Sequence, residues 1–173
     1  MDNQLAQNKD AALEAGVGLD KDFYDEERRP EARKLRFINF RLGKEWYGVE
    51  ISKVKDVAKI FELTYLPCAP AHIAGIVNLR GNILSITDLK KIFGLTPLPI
   101  GRESRILVIR ANEFETGIVV DEISKVADVE LNNIDPPLET LDPERAEYIV
   151  GECKSGDVFF AILNVEKIFA LKR

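Results

Sequence analysis

The sequence is poor in the residues that carry most enzyme and metal chemistry. Its 173 residues include one histidine, one methionine, one tryptophan and two cysteines. Cys68 and Cys153 form no C-x-x-C pair, and two cysteines in an ordinary composition fit a reducing compartment. The single histidine, His72, follows Cys68 by four residues, but the two side chains cannot complete a zinc ligand set. We therefore predict no metal site and interpret His72 as a structural or surface residue.

Long apolar runs and dense basic runs are also missing. No apolar stretch approaches the roughly 18 to 20 residues of a membrane-spanning helix, and the N-terminus lacks the apolar segment of a signal peptide. The 24 basic residues are scattered and are outnumbered by 29 acidic ones, which argues against nucleic-acid binding. We expect a cytoplasmic protein that binds no nucleic acid and does not insert directly into a membrane.

Catalytic motifs are absent as well. The sequence contains no P-loop, Rossmann glycine motif, G-x-S-x-G or H-E-x-x-H. The adjacent carboxylates Asp121 and Glu122 would point to opposite faces of a strand, so we interpret them as solvated or turn-capping groups. We predict no catalytic residues and no cofactor, which favours a binding module.

The first 34 residues differ from the rest of the chain. They are rich in charged and small residues with isolated apolar side chains, and such a segment buries too little to offset its ordering entropy. We predict a disordered tail over 1–34 and a folded domain over 35–173.

From Leu35 onwards, many short strand-like runs are separated by turn residues, a spacing typical of small β-barrels. The predicted strands cover residues 37–42, 45–49, 61–66, 74–79, 82–86, 105–110, 114–120, 148–153 and 158–163. Apolar residues at every third position predict a short helix over 51–57. Two more short helices are predicted after Asp88 and after Asn164, which have the side chains of N-caps.

Two segments of the chain recur in the same order. Ile51–Val57 (ISKVKDV) matches Ile123–Val129 (ISKVADV) at an offset of 72, and residues 88–95 resemble residues 164–171 at an offset of 76. Gly75 falls on Gly151 at the second offset. We infer two similar, intertwined barrels that share an interface, the second centred on about residues 100–160.

The repeat separates residues needed by both modules from residues present in only one. Asp56 corresponds to Asp128, so an acidic group there can be partly structural. Arg80, in the predicted turn Asn78-Leu79-Arg80-Gly81, corresponds to Gly156. Arg80 is either a solvated turn residue or an interface residue, a role in which arginine is enriched.

The segment Gly75–Leu89 (GIVNLRGNILSITDL) and its continuation to Leu95 closely resemble the signature of the CheW family. The segments Tyr47–Val54, Gly117–Asp121 and Leu163–Ile168 fit the same family, so the resemblance covers about residues 35–173. It implies a mainly β fold of two SH3-like five-stranded β-barrel subdomains with short helices, packed around a shared apolar interior.

The resemblance also implies a function. Members of the family are non-enzymatic adaptors that couple chemoreceptors to a CheA-type histidine kinase, and are recruited to receptor arrays at the inner face of the membrane. One barrel would contact the regulatory domain of the kinase, and a groove between the barrels would take the hairpin tip of a receptor. The alternative is a CheW-like scaffold of a related pathway, such as twitching or gliding motility, development or polar localisation.

The family's arginine falls on Arg80, and its acidic partner falls on Asp56, here Asp rather than Glu. Val54 and Val57 are predicted to line the groove, although Val126 and Val129 recur at the matching positions and leave a core role open. The predicted receptor- and kinase-binding residues are Arg80, Asp56, Asn78, Leu79, Gly81, Gly75, Val54 and Val57.

Overall fold

The computed structural model describes residues 33–60, 62–139 and 141–171, so the predicted N-terminal tail lies almost entirely outside the described residues. The described chain is mainly β. Its strands are β1 (Lys34–Leu42), β2 (Glu45–Glu50), β3 (Val54–Lys59), β4 (Ile73–Leu79), β5 (Asn82–Thr87), β6 (Arg105–Ala111), β7 (Phe114–Val120), β8 (Glu122–Glu130), β9 (Ile134–Asp135), β10 (Ile149–Ser155) and β11 (Val158–Leu163). Its α-helices are α1 (Leu89–Ile92), α2 (Pro143–Ala146) and α3 (Val165–Ala170), and short 3-10 helices span Ile51–Lys53 and Leu131–Asn133.

The strands form two sheets, which confirms the predicted fold class of two small barrels with few short helices. One sheet has six strands in the order β8-β1-β2-β11-β10-β9, and the other has five in the order β3-β6-β7-β5-β4. The sixth strand of the larger sheet is the two-residue β9, which pairs with β10. No helix in the described part of the chain combines the length and apolarity needed to cross a membrane.

The two sheets are related by the sequence repeat, but each takes strands from both halves of the chain. Ile73 pairs with Thr87 in the five-stranded sheet, and 76 residues later Ile149 pairs with Leu163 in the other sheet. In each sheet the second of these strands then pairs in parallel with a hairpin strand from the other half, β5 with β7 and β11 with β2. The barrels are therefore intertwined.

The apolar interior has three parts. A shared cluster joins residues of β1 and β2, such as Phe40 and Val49, to residues of β6 and β7, such as Leu107 and Ile118. Each sheet also has a smaller cluster of its own, one around Phe160 and one around Ile86. Burial of these side chains is the main stabilising contribution to the fold, and the shared cluster fixes one barrel against the other.

Two local predictions are wrong. The segment 51–57 is not one helix: a 3-10 turn ends at Lys53 and β3 begins at Val54, because β-branched valines pack well in the ladder with β6. Its repeat, 123–129, lies within β8. The predicted strand over 61–66 is reduced in the described residues to one bridge between Thr64 and Ile76.

Of the two roles considered for Asp121, a solvated or a turn-capping carboxylate, the structure shows the second. Asp121 is buried at the junction of β7 and β8, where it accepts a hydrogen bond from the backbone N–H of Gly43 at 2.7 Å and forms an ion pair with Lys90. Asp121 therefore caps the β1–β2 turn, and its carboxylate is shielded from water.

Candidate protein-interaction site

The turn between β4 and β5 is the feature that the repeat singled out. Leu79 pairs with Asn82, so the turn consists of Arg80 and Gly81, whose φ angles are 52° and 88°. Positive φ at both central residues is the signature of a type I′ hairpin turn. The side-chain oxygen of Asn78 accepts a hydrogen bond from the Gly81 N–H at 2.8 Å, which fixes the turn from the preceding strand.

Arginine is the unusual residue among the described hairpin turns. The first turn residue has a positive φ in all four: 64° at Gly43, 52° at Arg80, 54° at Asn112 and 61° at Gly156. Glycine and asparagine tolerate this conformation, whereas other L-residues are destabilised by about 1–2 kcal/mol. Gly156 is the counterpart of Arg80, so the fold does not require an arginine at this turn position. A strained residue kept where glycine fits is a candidate for function.

Arg80 forms an ion pair with Asp56 of β3, with 3.3 Å between the guanidinium Nη1 and the carboxylate Oδ2. The arginine side chain is 78% exposed and the aspartate is about one-quarter exposed. The second oxygen of Asp56 accepts the N–H of Val57 at 2.8 Å, which orients the carboxylate. Because an exposed pair contributes only about 0–1 kcal/mol to stability, its main effect is to hold a multi-donor group at the surface.

The pair borders a small depression of about 120 Å³ with an apolar floor that includes Leu84 and Val108. Its lining also includes Lys55 and Glu115, which form an ion pair at 2.6 Å. The surface thus combines two ion pairs with apolar side chains, a combination that favours selective protein binding. No pattern in the sequence indicated Lys55 or Glu115, because their strands are not adjacent in the chain.

The second module shows that the charge pair is not required by the fold. Asp128, the counterpart of Asp56, pairs with Arg36 of the adjacent strand β1 at 3.3 Å. The position in the five-stranded sheet that matches Arg36 is Val108, which lies opposite Asp56. Both modules therefore have an acidic residue at this position. Its cationic partner lies in a hairpin turn in the first module, and in the neighbouring strand in the second.

Val54 and Val57 lie in different environments. Val54 is half-buried against the shared cluster, as is Ile123 of β8, whereas Val57 is 41% exposed. Ile51 and Val126 are also exposed. β3 and β8 are the terminal strands of their sheets, so both present apolar side chains beside an edge with which no other described strand pairs. Sequence reasoning missed Ile51 and Ile123, although the repeat places them at matching positions.

Val129, the counterpart of Val57, is only 3% exposed and packs in the cluster around Phe160. The core role that the repeat left open for both valines therefore holds for Val129 and not for Val57.

Gly75 has a structural explanation. It is buried, and a Cβ added to it would overlap the carbonyl oxygen of Thr64. A Cβ at its counterpart, Gly151, would lie 2.8 Å from the carbonyl oxygen of Asp135. The structure therefore brings Asp56 together with Asn78, Leu79, Arg80 and Gly81 and leaves Gly75 beneath the surface. Within the described residues, no three His, Cys, Asp or Glu side chains form a group that could hold a metal.

Comparisons with known proteins agree with the resemblance seen in the sequence. The family described as the CheW-like domain matches residues 36–173. The chain is 32% identical to the chemotaxis protein CheW of Treponema pallidum, over 80% of this chain and 84% of the relative. It is 31% identical to the chemotaxis protein CheW of Helicobacter pylori, over 97% of both chains.

A solved structure, the scaffolding protein TtCheW from Thermoanaerobacter tengcongensis, superposes with a TM-score of 0.69. It is 32% identical to this chain, and the match covers 77% of this chain and 90% of that chain.

Proposed function

Because the chain belongs to the CheW-like family, we propose that it is a non-enzymatic adaptor that couples chemoreceptors to a CheA-type histidine kinase. It acts in the cytoplasm and is recruited to receptor arrays at the inner face of the membrane. The observation that carries the proposal is Arg80, an exposed arginine in a left-handed turn whose counterpart is glycine.

The Arg80 turn is assigned to the regulatory domain of the kinase. Its exposed guanidinium, its partner Asp56 and the neighbouring pair Lys55–Glu115 place charges of both signs beside apolar side chains. Such a surface selects a partner with complementary charges and disfavours others.

The apolar residues of β3 and β8 are assigned to the receptor. Val54 and Ile123 are half-buried on the shared cluster, and Val57 and Val126 are exposed. Aliphatic side chains of this kind suit the apolar face of a helical hairpin, whose residues at helical spacing would pack between them.

Asp56→Lys tests the adaptor function. It places a second cation beside Arg80, so kinase binding should fall about tenfold or more, and receptor-dependent kinase activation should fall with it. The measurement is autophosphorylation of a CheA-type kinase reconstituted with a chemoreceptor cytoplasmic fragment and the full-length protein. Asp128→Lys is the matched control for kinase binding, since it changes the corresponding residue away from the Arg80 turn and should leave titration of the kinase regulatory domain unchanged. Normal activation by Asp56→Lys would refute the assignment, and no activation by the parent protein would refute the adaptor function.

Val57→Ser tests the receptor surface. Val57 is exposed, so its stability effect should stay within about 0.5 kcal/mol, while binding of the receptor fragment should fall several-fold. Val129→Ser should show the opposite pattern, with a loss of about 1–3 kcal/mol in the free energy of unfolding because Val129 is buried. Urea denaturation and pull-down of the receptor fragment measure the two effects. Equal stability losses, or unchanged receptor binding by Val57→Ser, would contradict the assignment.

A further inference from the structure

The two barrels differ in the ion pairs formed by the short helices that follow β5 and β11. In the five-stranded sheet, Lys90 of α1 forms an ion pair with Asp121, which follows β7. In the six-stranded sheet, Glu166 of α3 forms an ion pair with Lys53, which follows β2. Glu166 is the counterpart of Lys90 at the offset of 76, and β2 and β7 are the matching strands. Each helix therefore forms an ion pair with a residue that follows the matching strand, but the helix residue is cationic in one barrel and anionic in the other, and Lys53 is not the repeat counterpart of Asp121.

At these helices, the end of one barrel is closed and the end of the other is open. The side chains of Lys90 and Asp121 are 8% and 7% exposed, whereas those of Lys53 and Glu166 are exposed. Beside Glu166 lies a cavity of about 320 Å³ at the mouth of the six-stranded barrel. Its walls are largely apolar and include Leu35, Phe37 and Ile162. The mouth of a β-barrel is a common place for a binding site.

The rim of the cavity has an excess of negative charge. Two carboxylates, Glu50 and Glu166, line it together with one ammonium group, that of Lys53. The hydrogen bond from Lys53 lowers the pKa of Glu166, so this carboxylate is ionised at neutral pH. Glu50 accepts a hydrogen bond from the neutral hydroxyl of Ser52 at 2.7 Å, so its charge is available to a second cation.

We propose that this cavity binds a lysine or arginine side chain presented by a partner polypeptide. The aliphatic stem would lie on Leu35, Phe37 and Ile162, and the cation would pair with Glu50 and Glu166. Long basic side chains bury their stems in this way while their charge stays near water. The closed barrel supplies the precedent, because there Lys90 buries its own stem and pairs with a carboxylate. The site lies on the barrel that lacks the Arg80 turn and does not depend on that turn.

The test is an NMR titration of the full-length, isotopically labelled protein with two amidated helical peptides. The peptides have leucines around one central residue, which is lysine in one and norleucine in the other. The lysine peptide should shift the methyl resonances of Leu35 and Ile162, and the norleucine peptide should bind about fivefold more weakly, the factor that an exposed ion pair supplies. Glu166→Gln should reduce this difference between the peptides.

Val150→Trp and Phe159→Trp form a matched pair of blocking variants. Both side chains are about half exposed, but only Val150 lines the cavity. Val150→Trp should abolish the shifts at Leu35 and Ile162, and Phe159→Trp should leave them unchanged. Equal affinity for the two peptides, shifts only at other residues, or normal binding by Val150→Trp would each overturn the proposal. Resonances around the cavity that move on dilution without peptide would identify a second copy of the chain as the occupant and would also overturn it.

Discussion

Arg80→Gly is expected to leave the protein at least as stable as the parent chain while removing most of its binding to the kinase. Arg80 has a φ of 52°, and the counterpart turn has Gly156 at 61°. Glycine removes the strain of the left-handed conformation, which amounts to about 1–2 kcal/mol. This gain in stability offsets two losses, that of an exposed ion pair and that caused by the greater flexibility of glycine in the unfolded chain. Binding should fall by at least about tenfold because the guanidinium is lost.

Arg80→Ala is the matched variant that separates the backbone from the side chain. Alanine also removes the ion pair with Asp56 but keeps a Cβ in the left-handed conformation, so it should be about 1 kcal/mol less stable than the glycine variant. Both variants should bind the kinase equally poorly. Urea denaturation and titration of the kinase regulatory domain give the two quantities. If glycine and alanine are equally stable, the turn is not strained, and if either binds normally, Arg80 is not an interface residue.

The repeat allowed much of the fold to be predicted, but not which strands the two intertwined barrels exchange. The pairings Ile73–Thr87 and Ile149–Leu163 are separated by the offset of 76, as expected where one hairpin recurs, because hairpin pairing is local and is set by the turn. The parallel pairings of β5 with β7 and of β11 with β2 join distant parts of the chain. A local pattern of apolar residues does not indicate which distant strand will be the neighbour, so the identity of the strands shared between the halves required the three-dimensional structure.

The error over 51–57 has a similar origin. Apolar residues at Ile51, Val54 and Val57 have the spacing of one helix face, but three positions are too few to distinguish a helix from a turn followed by a strand. Pairing of β3 with β6, including Val57 with Leu107, decides the outcome. Tertiary pairing of this kind routinely overrides a short local pattern.

At the candidate site, the repeat identified Arg80 but could not give its conformation. Comparison with Gly156 showed that arginine was unnecessary, and the structure added that the position requires a positive φ. Where both modules have the same residue, the repeat could not indicate whether the two side chains differ in exposure. Val57 and Val129 are identical in type, yet one is exposed and the other is buried, because their neighbours in the two sheets differ.

Removing Asp121 should be the most damaging single change considered for this chain. Its carboxylate forms an ion pair with Lys90 of α1 and accepts the N–H of Gly43, and its own N–H donates to the carbonyl of Arg41 at 2.9 Å. It thus ties the β1–β2 turn of one sheet to the helix that follows the other. Asp121→Ala leaves the ammonium group of Lys90 buried without its partner, which should cost about 3–5 kcal/mol in the free energy of unfolding.

The double variant Lys90→Met/Asp121→Asn should recover most of that loss. Asparagine keeps an acceptor for the Gly43 N–H, and methionine fills the space of the lysine stem without a charge, so stability should return to within about 1–2 kcal/mol of the parent. Asp128→Ala, which removes an exposed ion pair with Arg36, should cost less than about 1 kcal/mol. If the double variant is no more stable than Asp121→Ala, the charge of Lys90 is not the source of the loss. Because the buried pair lies apart from the Arg80 turn, any Asp121 variant that remains folded should still bind the kinase.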